Sequence, residues 1–183
     1  MRLRRMSRDQ LNLEQIALFD EISGGRRSQG RAKFALLGKD GALEGPFNAM
    51  LLAPVLGSAL QELGAAIRYR GEISPRVRES AILMVATKGE CRFERSAHEP
   101  LGLEAGLTQD DLVSLSLGAT PKPLTMEEEA AFELSRRLVD YSDLNDEDYL
   151  RLVAILGEAT IFEISTLIGY YSTLALQIRI FRV

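Results

Sequence analysis

The chain has 183 residues, a formal net charge of −4, one cysteine, one histidine and no tryptophan. Its length suits one domain with a sizeable core, and 46% hydrophobic with 26% charged residues is ordinary for a globular protein. The lone cysteine excludes an internal disulfide, the Cys/His shortage excludes a cluster of such metal ligands, and the acidic balance gives no electrostatic reason to expect nucleic acid.

In chain order, the N-terminal MRLRRMSRDQ is basic but is not followed by the apolar core of a signal peptide. No run approaches the ~18 apolar residues of a membrane span, so a cytoplasmic protein without membrane contact is expected. Arg2, Arg4, Arg5 and Arg8 form one basic cluster and Arg26, Arg27 and Arg31 another; both read as solvated surface. Residues 9–22 carry Leu11, Ile16, Phe19 and Ile22 near helical spacing, which argues for a docked helix ended by Gly24-Gly25. Residues 24–47 are rich in glycine, basic and turn residues and read as mostly irregular.

Pro54 opens an apolar-periodic segment that predicts a helix to about residue 69. Ser74-Pro75 supplies an N-cap and a first-turn proline for a helix ending at Gly89, with Val77, Ile82, Met84 and Val85 on its apolar side and Glu79 within it. A further helix runs from about Cys91 to near Gly106, and Thr108 caps a short one over 109–117. Thr125 with Glu128 forms a capping box for a helix to about Tyr141, and Asn145 caps a segment to about residue 156. The final ATIFEISTLIGYYSTLALQIRI reads as a long helix that is apolar on most faces, which calls for a central place in the core or a subunit interface. With no alternating strand pattern and no internal repeat, the fold class is all-α with about seven to eight helices.

The chemistry concentrates in GECRFERSAHEP, residues 89–100, where Cys91, Glu94 and His98 fall on one helical face. Glu79 and His98 lie at similar distances on either side of Gly89, so antiparallel packing of the two helices would bring them together. A carboxylate holding one imidazole nitrogen makes the other more basic, and a cysteine near a helix N-terminus sits where the macrodipole favours a thiolate. Acid–base and thiol chemistry are both open from the residues. So is a bland reading of a satisfied histidine, a buried apolar cysteine and surface ion pairs around Glu79 and Glu94.

The sequence GALEGPFNAMLLAP, then SPRVRESAILMVA, then CRFERSAHEPLGLEAGLT resembles the carboxymuconolactone decarboxylase family, which includes the alkylhydroperoxidase D-like proteins. The resemblance runs from about residue 41 to 183, leaving residues 1–40 as an N-terminal helix and irregular arm. It implies the helical alkylhydroperoxidase D-like fold and homo-oligomers, often trimers or hexamers. Redox members resemble E-x11-C-x2-C-x3-H; here Glu79, Cys91 and His98 match, while Glu94 stands at the second cysteine. An intramolecular two-cysteine peroxidase cycle is thereby unavailable. The Phe93-Glu94 pair resembles the non-redox decarboxylases instead, with Arg95 where those carry tryptophan.

Three readings follow. The first is an acid–base enzyme acting on a small carboxylated lactone or related acid through Glu79, Glu94 and His98, with Phe93 and Arg95 as substrate contacts and no metal or cofactor. The second is a one-cysteine thiol peroxidase using Cys91, with Glu79 and His98 relaying protons. The third is a non-catalytic oligomeric binding protein that keeps the fold with an eroded site.

Overall fold

A computed structural model describes residues 2–25 and 36–183. Among the described residues it is all-helical, with no strand and only two isolated bridge pairs, Ser7–Ala42 and Leu37–Leu43. Eight α-helices follow in order: α1 (Leu13–Gly24), α2 (Pro46–Met50), α3 (Pro54–Tyr69), α4 (Pro75–Lys88), α5 (Arg92–Glu104), α6 (Gln109–Ser116), α7 (Met126–Tyr141) and α8 (Asp146–Phe181). They cluster into two compact units, one of residues 2–69 with 176–183 and the other of residues 70–175.

In the first unit, Asn12 rather than an earlier residue starts α1, through a reciprocal capping box with Gln15. The helix then buries Phe19 and Ile22, as the periodicity predicts, together with Leu18, leaves Ile16 half-buried, and packs on α3. The short α2 begins at the very end of the interval expected to be irregular, and Gly45 enters it with φ of 56°, a left-handed value that favours glycine. The N-terminal arginines are partly paired: Arg5 binds both Asp40 and Glu44, and Arg8 binds Asp20. Arg26, Arg27 and Arg31 lie outside the described residues.

The second unit is built around α4, which packs against α5, α6 and α7 and is buried continuously from Glu79 to Ala86. Here the structure corrects the expectation of a one-sided α4. The final helix is the more one-sided element: Ile164, Leu167, Ile168, Tyr170 and Tyr171 are buried, while Phe162 is 71% exposed. Leu176, also read as interior, is exposed at 51% within the first unit.

Helix α8 breaks at Gly157, whose φ of 76° and ψ of 155° are not helical, so the segment capped by Asn145 and the apolar segment after it are distinct, as the sequence suggests. By length and composition α8 is nevertheless the one helix among the described residues able to cross a membrane, a property that a search for uninterrupted apolar runs overlooks. Its Glu163 carboxylate accepts from the backbone N–H groups of Glu72 (2.9 and 3.0 Å) and Ile73 (3.0 Å), fastening the approach to α4.

Candidate active site

The corner between α4 and α5 is tight because three successive backbone donors turn back on α4. Gly89 N–H bonds to Val85 O (2.8 Å), Glu90 N–H to Thr87 O (3.1 Å) and Cys91 N–H to Ala86 O (2.8 Å). Glu90, with φ of 50°, takes the left-handed conformation, whereas Gly89 stays right-handed. Gly89 matters for room: a Cβ there would lie 3.2 Å from Val85 O and 3.4 Å from Ala175 Cβ. Cys91 is the N-cap residue of α5, without a side-chain cap bond, and is 2% exposed.

This corner folds α5 back along α4 and places His98 beside Glu79. Nδ1 of His98 lies 2.7 Å from Glu79 Oε2, and both residues are buried. One turn before His98 on α5, Glu94 directs Oε2 to within 3.5 Å of Nε2 and is also buried. The imidazole is therefore held between two carboxylates, tightly at one nitrogen and loosely at the other. A 2.7 Å contact is a good hydrogen bond between Nδ1 and the Glu79 carboxyl group, whereas a 3.5 Å gap is too long for one.

Buried carboxylates need compensation, since leaving water costs more than a bare charge recovers inside. Arg78 supplies part of it, with Nε 3.3 Å from Glu79 Oε1, so Glu79 uses its two oxygens on two partners. An imidazole set between two buried carboxylates is an arrangement suited to proton delivery.

The other residues singled out from the sequence lie differently. Arg95 donates to Glu99 one turn on and to Thr87 Oγ1 (3.3 Å), so its guanidinium is engaged by partners other than Glu79, Glu94 and His98. Phe93 is half-buried at the start of α5. Sequence reasoning missed Tyr171 of α8, whose ring meets His98 at a 5.2 Å centroid distance and 90°, and Tyr170, which meets Tyr171 at 5.1 Å and 90°. No local pattern signals them: the contact joins segments far apart in the chain, and an aromatic pair in an apolar helix reads simply as core. Among the described residues no three or more histidine, cysteine and carboxylate side chains are grouped as a metal ion would need.

No curated protein and no solved structure matches the chain significantly. Residues 54–137 match the family model of the Carboxymuconolactone decarboxylase family. That span holds α3 to most of α7, including the α4–α5 corner and all four of Glu79, Cys91, Glu94 and His98. The resemblance carried by those motifs coincides with this match: residues 54–137, a little under half of the chain, are similar to the carboxymuconolactone decarboxylase family.

Proposed function

We propose that the protein is an acid–base enzyme that decarboxylates a small carboxylated lactone or related acid, with His98 and Glu94 carrying the mobile proton and Glu79 orienting His98. The observation that carries this reading is one imidazole held 2.7 Å from Glu79 and 3.5 Å from Glu94 in a buried setting. In the step envisaged, the bond from the ring carbon to the carboxylate breaks and carbon dioxide leaves. The electron pair passes into the lactone carbonyl as an enolate, and the His98–Glu94 pair delivers a proton to carbon. Solvent then restores that proton, so the net change is uptake of one proton and release of one carbon dioxide. Glu79, anchored by Arg78, keeps Nδ1 protonated so that Nε2 is the nitrogen that exchanges.

Carbon dioxide release from a panel of carboxylated lactones tests the reading. His98→Gln should lower turnover by about 10²- to 10⁴-fold. Undiminished turnover in that variant overturns it.

A second reading draws support from Cys91 at the N-cap of α5, where the helix macrodipole favours a thiolate. Glu94 in the same first turn opposes it through like charge. Rapid sulfenic-acid trapping at Cys91 with dilute peroxide, lost in Glu79→Gln, would favour this thiol chemistry over decarboxylation. We also propose that the chain forms a homo-oligomer, a reading supported by Phe162, a large apolar side chain 71% exposed on α8.

A further inference from the structure

We propose that Tyr171 is a positioning residue for His98, so that the site is completed by α8 from outside the family-matched segment. The inference rests on the reading in which His98 carries a proton, and it adds a member to that site. Histidine has two side-chain torsions, and the outer one is broad and roughly two-fold. The 2.7 Å contact from Nδ1 to Glu79 restrains one edge of the ring. A side chain packed against the ring adds a restraint on its plane.

Tyr171 provides it. Its ring stands perpendicular to the imidazole at 5.2 Å, the edge-to-face arrangement that aromatic quadrupoles favour, and it is 95% buried. Tyr170 then braces Tyr171 with a second perpendicular contact at 5.1 Å and is itself buried. Consecutive helical side chains diverge by about 100°, so Tyr170 meets the Tyr171 ring from the side. A turn of the imidazole about its outer torsion would exchange Nδ1 for a carbon at Glu79 and take Nε2 away from Glu94. The wall formed by Tyr171 obstructs that turn.

Because His98 is the only histidine, its imidazole nitrogen and carbon resonances are unambiguous and need no substrate. In the unaltered protein, Nδ1 should be the protonated nitrogen of the neutral ring, with cross-relaxation between His98 and Tyr171 ring protons. Tyr171→Phe should preserve the tautomer, because it keeps the edge-to-face ring contact. Tyr171→Leu should give a mixture of tautomers and an altered pH titration of His98. On a turned-over substrate, kcat should fall about tenfold with little change in KM.

A folded Tyr171→Leu variant whose His98 tautomer and titration match the unaltered protein overturns the proposal. If that variant does not fold, the cross-relaxation measurement on the unaltered protein decides: its absence overturns the proposal, and its presence with an unchanged tautomer in Tyr171→Phe supports it. Full turnover in His98→Gln would remove the proton-carrier reading alone. The resonance measurements would still report whether Tyr171 positions the ring.

Discussion

Arg76 is nearly buried, yet its guanidinium serves five partners. It reaches Glu128 (2.5 Å), Asp111 (3.3 Å) and the carbonyls of Lys122 (2.9 Å) and Gly106 (3.3 Å), and lies 5.5 Å from the Phe132 ring centroid. One side chain of α4 thereby ties down α6, α7 and the loop between them. Arg76→Met would take the cation from two carboxylates, and a loss of about 3–5 kcal/mol is expected in a urea titration. Asp111 gives the same network a pH signature. Burial opposes its charged form, but the N–H groups of Thr108 and Lys122, the Thr108 hydroxyl and Arg76 outweigh that and hold its pKa below the usual value. A depressed folded-state value contributes stability above the unfolded carboxylate pKa of about 3.9, and this is lost as pH falls through the lower folded value. Melting temperatures measured between pH 7 and 2 should therefore fall less steeply below about pH 4 in Asp111→Asn than in the unaltered chain. None of this could be read from the sequence, where Arg76 looks like one more charge beside a proline. Glu79 and His98 were readable as a pair because one hairpin joins them, only 19 residues apart.

Helix boundaries were the most readable level, because the signals that set them are local. Ser74, Thr108 and Thr125 each accept from the N–H three residues on, as their side-chain chemistry predicts. The capping box at Thr125 forms only by half: Glu128 turns its carboxylate to Arg76 and to Leu124 N–H, so a tertiary ion pair overrides the local motif. Helix α2 was missed because five residues are too few for a period to show. The mistaken rank of α4 and α8 has a related cause. Composition says how apolar a helix is, but α4 also buries Arg76, Glu79 and Ser80 by pairing them, which no hydrophobic count detects. The break at Gly157 lies in backbone space that is essentially reserved for glycine, and a Cβ there would meet nothing within 4 Å. Gly157→Ala should therefore lose about 1–3 kcal/mol from backbone strain alone, measured as a lowered urea midpoint with an unchanged m-value.

For the whole molecule, oligomerisation is the property most open to direct test. Native mass spectrometry should find a multiple of the chain mass, a trimer or hexamer under the proposal above, and Phe162→Asp should shift it toward the monomer if α8 lies at the interface. A monomer at micromolar concentration in the unaltered protein would remove the assembly reading and leave the exposed Phe162 without a role. The separation in sequence of the parts around His98 also sets an order in time. The His98–Glu79 contact closes a short loop, whereas Glu163 must find Glu72 and Ile73 across some 90 residues, and Tyr171 lies on the same distant helix. Short loops close at lower entropic cost and sooner. The expected order in folding is therefore that the His98–Glu79 contact closes while still wet, and that the last helix to arrive is the one that dries it.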